Sequence, residues 1–507
     1  MNPLLFERAS GNIGPNVFAS IQATSFLTSF AQAPRFRFDG GERAPPRPGG
    51  RSGSGSGSGT AGAAAAAAPD LVPRSLWAHQ AGVSALALER FDGRILVSGG
   101  SDATIKLWDL EQWSGDPALP SPYVPVASIP RADGRQLDSA SGSASGHRFG
   151  ITHLSFYPFD SAAFLSSSFD HTMKLWSTAA ARVSGTFDLG TKVYTHAISP
   201  IASHVLVACG TQHPAVRLVD LRSSAAVQSL VSPGQIGGSA GATLSVAWSP
   251  AHEHVLVSGS VDGAVRVWDV RRSSGLVGLL DQEDNGLDAS PSMFSQPEAS
   301  QGRMPRYSAR AHTGPVNGLT WTDDGAYIVS AGHDRRIRVW DAATGANTLA
   351  SFGPTIRNSQ MGSLTMFVSP VGLTPPRQEL LFFPNEAEIL VMDLHEGSIV
   401  TRLRGMGPSV ATVGARTVKN RLTGIVWRGA GGGGSSSGVV MGGTNAPGGI
   451  YSGHLDGQIR TWLPQLEGLD AEDEDSSSHE AAEARQKKRK ALDNTFKSLM
   501  GKQITFS

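Results

Sequence analysis

The chain has 507 residues with 43 basic and 43 acidic side chains, so its formal net charge is zero at neutral pH. That balance argues against a protein that binds nucleic acid or anionic membranes over its whole surface. A single cysteine, Cys209, excludes an intrachain disulfide, fits a reducing compartment and is interpreted as a buried core thiol. The chain contains no run of about 18 apolar residues, so we expect no membrane span.

Residues 1–38 contain two apolar runs, on either side of Gly14-Pro15-Asn16. Proline and asparagine predict a turn here, with Asn16 as a candidate helix N-cap. At helical spacing Val17, Phe18 and Ile21 share one face, and Phe26, Leu27 and Phe30 lie on the opposite side. A helix that is apolar on two sides needs a groove in a partner or the main domain to cover it. Residues 1–38 are therefore predicted to form a helix-loop-helix.

Residues 39–70 have the composition of a linker, with prolines, Ser-Gly repeats and six consecutive alanines. Such a segment buries too little apolar surface to offset the entropy lost on ordering. We predict a disordered linker.

One signature then recurs, in which serine precedes aspartate by four positions and aspartate precedes tryptophan by six. Self-similarity at a fixed spacing indicates a repeat protein. The signature resembles a WD-repeat propeller blade, in which a strand, a tight turn at the aspartate and a second strand follow one another. The five complete copies are Ser98/Asp102/Trp108, Ser166/Asp170/Trp176, Ser258/Asp262/Trp268, Ser330/Asp334/Trp340 and Ser452/Asp456/Trp462.

Two degenerate copies lack the tryptophan and end at Val219-Asp220 and Met392-Asp393. Together the seven copies predict an all-β, seven-bladed propeller over residues 71–465. Insertions at 111–145, 281–308 and 429–448 are rich in Gly, Ser, Pro or charge and are interpreted as surface loops.

His79, Ser98 and Asp102 are the residue types of a nucleophilic triad, and the set recurs with His147 and with His312. Three active sites at nearly identical spacing are a poor hypothesis, because a triad also needs an exposed nucleophile beside an oxyanion hole. We interpret the set as a structural relay that pairs buried polar groups in each blade. Blade four has Ser239 at the histidine position. The predicted relay residues are His79, Ser98, Asp102, Trp108, His147, Ser166, Asp170, Trp176, Asp262, Trp268, His312, Ser330, Asp334, Trp340, Asp456 and Trp462.

No phosphate-binding loop and no zinc-ligand spacing occur, so the sequence predicts neither catalysis, nor a metal, nor a cofactor, nor a small-molecule substrate.

Two blades place an arginine two positions after the terminal aspartate, at Arg222 and Arg271. Trp-Asp-x-Arg resembles the motif by which WD-repeat receptors dock on the triple-propeller adaptor of cullin-4 RING ubiquitin ligases. The alternative is a solvated arginine at a strand end. Such receptors also insert a helix-loop-helix into the adaptor. The predicted adaptor-binding residues are Leu4, Leu5, Phe6, Val17, Phe18, Ile21, Arg222 and Arg271.

The chain from its N-terminal segment to Trp462 resembles the Cockayne syndrome group A family, most specifically in blades two to five. The segments that carry this likeness are His147-Arg148-Phe149-Gly150-Ile151-Thr152, Val193-Tyr194-Thr195-His196-Ala197-Ile198-Ser199-Pro200 and Val267-Trp268-Asp269-Val270-Arg271-Arg272. The resemblance implies a non-catalytic substrate receptor of a cullin-4 RING ligase in transcription-coupled nucleotide excision repair. Its implied partners are the ligase adaptor, the Cockayne syndrome group B ATPase and the RNA polymerase II elongation complex.

Two other classes of propeller remain open. A histone-tail or chromatin-binding propeller should have an acidic pocket at the mouth of the ring. A damaged-DNA binder should concentrate arginine, lysine and an aromatic wedge on one face. Arg335, Arg336 and Arg338 come nearest to such a patch and are interpreted as a solvated strand edge, without direct DNA contact.

Residues 466–507 form a tail that is first acidic, at 470–475, and then basic, at 485–490. Such a tail can be a solubilising segment or a nuclear-import signal. We predict import, and hence a nuclear protein, through Lys487, Lys488, Arg489 and Lys490.

Overall fold

A computed structural model describes residues 3–41, 77–111, 122–132, 146–223, 225–231, 241–272, 275–284, 309–370, 374–375, 377–413, 416–428 and 448–465. None of its described helices is long and apolar enough to cross a membrane.

The strands form seven antiparallel blades, which confirms the predicted all-β, seven-bladed propeller. We call the strands of a blade A to D, from the centre of the ring outwards. Blade 1 contains β2 (Val83–Leu88), β3 (Ile95–Gly100), β4 (Ile105–Asp109) and β5 (Pro125–Ile129). Blade 2 contains β6 (Ile151–Phe156), β7 (Ala163–Ser168), β8 (Thr172–Ser177) and β9 (Arg182–Asp188). Blade 3 contains β10 (Val193–Ile198), β11 (Leu206–Thr211), β12 (Val216–Asp220) and β13 (Ala225–Leu230).

The second half of the ring is less regular. Blade 4 contains β14 (Thr243–Trp248), β15 (Val255–Ser260), β16 (Val265–Asp269) and β17 (Leu276–Leu279). Blade 5 contains β18 (Val316–Trp321), β19 (Tyr327–Gly332) and β20 (Ile337–Asp341), with a single bridge from Trp340 to Asn347 at the outer edge. Blade 6 contains β21 (Phe367–Val368), β22 (Leu380–Asn385), β23 (Glu388–Asp393) and β24 (Ile399–Arg404), followed by a hairpin of β25 (Val410–Val413) and β26 (Arg416–Lys419). Blade 7 contains β27 (Leu422–Arg428), β28 (Gly449–His454) and β29 (Ile459–Pro464).

The N-terminus closes the ring. Helices α1 (Pro3–Ala9) and α2 (Pro15–Thr28) are followed by β1 (Phe30–Gln32), which pairs with β29 and is the outer strand of blade 7. Phe38 is buried against Trp108 of blade 1, and the Gly40 carbonyl accepts a hydrogen bond from the buried Lys106 ammonium. The boundaries predicted at residues 38 and 39 are therefore wrong, since 30–41 pack on the propeller.

The predicted surface loop at 111–145 also needs correction. It contains β5, the outer strand of blade 1, whose Val126 side chain is exposed. Proline is tolerated at the first residue of an outer strand because its missing N–H faces solvent. Pro125 occupies that first position. The proline-rich composition therefore concealed a strand.

The core consists of clusters between adjacent blades rather than one central mass. Phe164 and Trp176 of blade 2 pack with Val97 and Ile105 of blade 1, and all four are fully buried. Because neither face of a blade is covered by the blade itself, each blade depends on its neighbours for stability.

Strand directions define two faces of the ring. The turns between strands B and C lie on the face that we call the top, and strand C of each blade ends on the bottom face. Phe30 lies opposite Pro464 at the end of β29, so α2 reaches the ring at the bottom of blade 7.

Candidate functional site

Blades 1, 2 and 5 each contain a hydrogen-bonded relay from tryptophan to the top face. In blade 2, Trp176 Nε1 donates to Ser166 Oγ over 2.7 Å, and Ser166 Oγ lies 2.6 Å from His147 Nε2. His147 Nδ1 lies 2.8 Å from Asp170 Oδ2. A neutral imidazole protonated at Nδ1 satisfies every group in this series.

Blades 1 and 5 repeat the arrangement with small differences. In blade 5 the Trp340–Ser330 and Ser330–His312 bonds are 2.9 and 2.8 Å, and His312 Nδ1 lies 3.0 Å from Asp334. In blade 1, Trp108 and His79 both bond Ser98 at 2.8 Å, but Thr104 Oγ1 stands between His79 Nδ1 and Asp102, with bonds of 2.8 and 2.7 Å.

The aspartates fix the turns between strands B and C. Asp102 and Asp170 each accept a hydrogen bond from the backbone N–H two residues later, at 3.0 Å. The residue between has a left-handed backbone, with φ of 69° at Ala103 and 73° at His171. A carboxylate that bonds its own turn offsets the cost of that conformation.

Blades 4 and 7 retain the tryptophan–serine bond, at 2.8 Å each, but anchor the aspartate differently. Arg266, which is only 5% exposed, pairs with Asp262 at 2.6 Å in place of the histidine that blade 4 lacks. In blade 7, Arg460 pairs with Asp456 at 2.8 Å, while His454 bonds Ser452 at 2.9 Å. These substitutions were not evident from the signature, because an arginine four residues after the aspartate also occurs in blade 5, which retains its histidine.

Blades 3 and 6 have apolar interiors. Cys209 and Val219 replace serine and tryptophan in blade 3 and are fully buried beside Met173 of blade 2. Burial raises the pKa of the Cys209 thiol to about 12, so this thiol is unreactive at neutral pH. In blade 6, Phe383 and Met392 fill the corresponding space.

Burial governs the charge state of the relays. It lowers the pKa of His147 and of His312, and in each case the neighbouring aspartate opposes that shift only in part. Burial alone would raise the pKa of Asp334, but hydrogen bonds from His312 and Arg338 hold it at about 2. In blades 2 and 5 the relay is therefore a neutral histidine beside an ionised aspartate. Ser98, Ser166 and Ser330 are fully buried, so their hydroxyls are closed to solvent.

The two arginines that follow the terminal aspartates, Arg271 of Trp-Asp-x-Arg and Arg222 of Val-Asp-x-Arg, lie on the bottom face. Arg271 pairs with Asp269, with Nη2 2.9 Å from Oδ2 and Nε 3.1 Å from Oδ1, and its side chain is 65% exposed. Arg222 is exposed, and its backbone N–H donates to Asp220 Oδ1 at 2.8 Å. Both aspartates thus shape the turn that presents an arginine to solvent.

The N-terminal helices present apolar side chains on the same face. Leu5, Phe6 and Val17 are 54%, 65% and 56% exposed. Leu4, Phe18 and Ile21 are half-buried. The predicted N-cap is wrong, because Gly14 caps α2 without a side-chain bond and Pro15 occupies the first turn.

The far end of α2 is covered by the ring. Leu27 and Phe30 are buried in blade 7 with Trp462, and Phe26 packs against the same cluster. The two apolar sides of this segment therefore differ in their environment. The later residues pack on the propeller and anchor the segment, whereas the earlier ones are exposed or half-buried.

The structure places the two groups of predicted docking residues on one face but on opposite sides of the ring. The helices lie at blade 7, and Arg222 and Arg271 lie in blades 3 and 4, three blades away in either direction. A partner that contacts both must cover the bottom face.

Between them lies a channel mouth that the sequence did not predict. A cavity of about 320 Å³ is lined by Arg90, Trp248, Trp321 and Asp323. Burial lowers the pKa of Arg90 and raises that of Asp323, and each charge partly offsets the shift of the other. These residues follow the ends of inner strands and share no motif, so no signal in the sequence marked them.

The predicted import residues, Lys487 to Lys490, lie outside the described residues. Across the described ranges no group of three or more His, Cys, Asp or Glu side chains has the geometry of a metal site.

Comparisons with known proteins agree with this architecture. The WD domain, G-beta repeat family model matches residues 72–109, 140–177, 233–269 and 304–341, which correspond to blades 1, 2, 4 and 5. The WD repeat-containing protein ATCSA-1 of Arabidopsis thaliana is 29% identical over 388 residues, which cover 66% of this chain and 81% of that protein. The ribosome biogenesis protein ytm1 of Aspergillus terreus is 28% identical over 283 residues, and that of Neurospora crassa is 28% identical over 274. These matches cover 54% and 52% of this chain and about half the length of the fungal proteins, 55% and 54%.

Proposed function

Because the chain is a WD-repeat propeller, we propose that it is a substrate receptor of a cullin-4 RING ubiquitin ligase. In this role the bottom face docks on the triple-propeller adaptor of the ligase. The observation that carries the proposal is the bottom face itself, where exposed apolar helices and two exposed arginines face the same way.

The two parts of that face suit different tasks in an interface. Phe6 and Leu5 supply exposed apolar surface. Removing such surface from water on docking stabilises a complex by about 25 cal/mol per Å². Arginine is enriched among the residues that dominate binding energy, and Arg271 is held in place by two bonds to Asp269. The ordered arginine loses little side-chain entropy when a partner binds.

We further propose that the protein is not an enzyme. The triad-like sets bury their serine hydroxyls completely, and each hydroxyl already bonds both tryptophan and histidine. A nucleophile needs access to substrate and a nearby oxyanion hole, so burial of all three sets favours the structural role.

The pathway follows from the family resemblance. The likeness to the Cockayne syndrome group A family is supported by the Arabidopsis relative named ATCSA-1, of which this chain spans 81%. We propose that the receptor acts in transcription-coupled nucleotide excision repair in the nucleus. Its partners there are the Cockayne syndrome group B ATPase and the RNA polymerase II elongation complex.

Ribosome biogenesis is the competing function, because the fungal relatives bear that name. This chain spans only about half of their length, against 81% of the Arabidopsis protein, which favours the ligase receptor. Chromatin binding and damaged-DNA binding are less favoured, since neither function is named in these relatives.

Affinity capture of the full chain from cells before and after ultraviolet damage, read by mass spectrometry, separates these functions. We expect the ligase adaptor and cullin-4 in both samples, and more RNA polymerase II and group B ATPase after damage. Recovery of ribosome-assembly factors without the adaptor would overturn the proposal.

A truncated variant supplies the control for docking. Deleting residues 1–21 removes α1, the open part of α2 and the predicted docking residues of this segment, but leaves Phe26, Leu27, the ring-closing strand β1 and Phe38. We expect this variant to keep its melting temperature and lose the adaptor. Deletion to residue 38 is unsuitable, because it would also remove the outer strand of blade 7 and open the ring.

Nuclear import is tested separately with a fluorescent fusion. Changing Lys487, Lys488, Arg489 and Lys490 together to alanine should leave the fusion largely cytoplasmic. A fusion that stays nuclear would mean that a partner or another segment directs import and that the tail is solubilising sequence.

A further inference from the structure

The top face of blades 5 to 7 has an excess of exposed positive charge. Arg335 and Arg336 occupy the turn between strands B and C of blade 5, and Arg357 lies in the segment that enters blade 6. Lys419 and Arg421 lie where the chain enters blade 7. Arg421 is half-buried and the other four are exposed. We call these five residues the basic arc.

Hydrogen bonds between loops make the arc continuous. His333, two residues before Arg335, donates through Nε2 to the Gln360 carbonyl over 2.7 Å, which joins blade 5 to the segment entering blade 6. Arg421 Nη1 contacts Ser359 Oγ at 3.4 Å, which joins that segment to blade 7. The cations are thus held on one connected surface.

The nearby carboxylates already bond other groups. The positive charge of the basic arc therefore exceeds the negative charge around it. Glu386 is bonded by Ser359 at 2.8 Å and by Lys419 at 3.4 Å. Asp334, Glu388 and Asp456 pair with arginines of their own blades. Within the described ranges no carboxylate lies at ion-pair distance from Arg335, Arg336 or Arg357.

Arg421 has unused hydrogen-bonding capacity. Its Nη1 bonds Ser359, whereas its Nε is buried without a hydrogen-bond partner in the described structure. Because that Nε is closed to solvent, a ligand at the surface would meet the positive charge of Arg421 rather than this donor.

Two exposed methionines accompany the cations. Met361 is 71% exposed in the segment that carries Arg357, and Met406 is 81% exposed at the top of blade 6. Methionine is flexible and polarisable, and it is frequent on surfaces that accept varied apolar side chains. The exposed aromatics of the top face, Trp77, Phe149 and Phe169, lie in blades 1 and 2 instead.

We propose that the basic arc binds an extended acidic peptide segment of a partner protein, with apolar side chains of the peptide placed on Met361 and Met406. Arginines suit carboxylates because the guanidinium donates in a planar fork. Single-stranded nucleic acid fits less well, since base binding without sequence preference relies on aromatic stacking, and none of the exposed aromatics described on the top face lies in blades 5 to 7. The site is on the face opposite the proposed adaptor surface and does not depend on that proposal.

The test uses fluorescence anisotropy with the full chain and a short labelled peptide of alternating Asp and Glu with a central Leu. The first comparison is the same peptide with Asn and Gln in place of the acids, and the second is a single-stranded oligonucleotide of equal charge. The arc variant combines Arg335→Gly, Arg336→Gln and Arg357→Gln. The control is matched in charge and combines Arg131→Gln, Arg148→Gln and Lys192→Gln, which are exposed on the top of blades 1, 2 and 3.

We expect the acidic peptide to bind the wild type and the control alike, and the arc variant about tenfold more weakly. Arg335→Gly should not unfold the turn, because Arg335 has a left-handed φ of 59° that glycine adopts without strain. Adaptor binding should be the same in all three proteins. The proposal is overturned if the neutral peptide binds equally, if both variants lose equal affinity, or if the oligonucleotide binds more tightly than the peptide.

Discussion

Blades 2 and 3 are neighbours with the same four-strand topology, but their interiors are held together by different interactions. Blade 2 buries a complete polar relay from Trp176 through Ser166 and His147 to Asp170. Blade 3 buries Cys209 and Val219 at the serine and tryptophan positions and packs them against Met173 of blade 2. Polar and apolar interiors thus stand side by side in one ring.

The difference shows which part of the signature the fold requires. A propeller blade needs its interior volume filled and its buried polar groups paired, and either solution meets both conditions. The relay adds a further constraint, because Asp170 also fixes the turn and bonds the Arg148 backbone N–H at 3.0 Å. Blade 3 achieves its turn without that link.

The largest expected effect is on the tryptophan. Trp176→Ala removes a fully buried indole and leaves Ser166 without one partner, so we expect a loss of about 3–5 kcal/mol in the free energy of unfolding. Val219→Ala, at the matching position of blade 3, should cost about 2 kcal/mol. Denaturant unfolding of both variants measures the difference. Equal losses would mean that the two interiors are energetically alike.

A smaller loss in the free energy of unfolding is expected when the cysteine of blade 3 is replaced by the serine that blade 2 has at the same position. Cys209→Ser places a hydroxyl in an apolar site where no tryptophan or histidine bonds it, so we expect a loss of about 1–3 kcal/mol. Thermal unfolding measures it. A Cys209→Ser protein as stable as the wild type would show that blade 3 can pair a polar group after all.

The pH dependence of stability should follow the relay. Burial lowers the pKa of His147, so the unfolded chain binds more protons once the pH falls below about 6.5, and stability is lost on acidification. The lowered pKa of Asp170 extends that loss below about pH 4. We expect His147→Gln to be less stable at neutral pH but to lose less on acidification. Thermal unfolding of both proteins at several pH values measures this. If their melting temperatures fall in parallel as the pH is lowered, the prediction is refuted.

The smallest effect on stability is expected at the bottom face. Arg222→Ala combined with Arg271→Ala changes exposed side chains and should alter the free energy of unfolding by no more than about 0.5 kcal/mol. A larger loss in thermal unfolding would assign these arginines to the fold rather than to a partner.

The architecture could be predicted because the signature places large residues at fixed spacing. Trp108, Trp176, Trp268, Trp340 and Trp462 are all essentially buried. The relay geometry of blades 1, 2 and 5 also follows, since their histidine, serine and aspartate occupy corresponding positions.

What the sequence did not reveal depends on contacts between distant segments. Pairing of β1 with β29 joins the N-terminal segment to the last strand of the ring through only three residues, Phe30 to Gln32, whose alternation is too short to recognise. The channel mouth combines Arg90 with Asp323, which belong to blades 1 and 5. The basic arc joins turns from three blades, so Arg335 and Arg336 appeared as a solvated strand edge when considered alone.

The central claim is that the bottom face, and not the relays, carries the function. The most direct test is the affinity of the purified full chain for the triple-propeller adaptor, measured by titration calorimetry for wild type and for Arg222→Ala with Arg271→Ala. We predict a loss of about 2 kcal/mol of binding free energy, roughly thirtyfold in Kd, with an unchanged melting temperature. An unchanged affinity, in a variant that remains folded, would contradict the account.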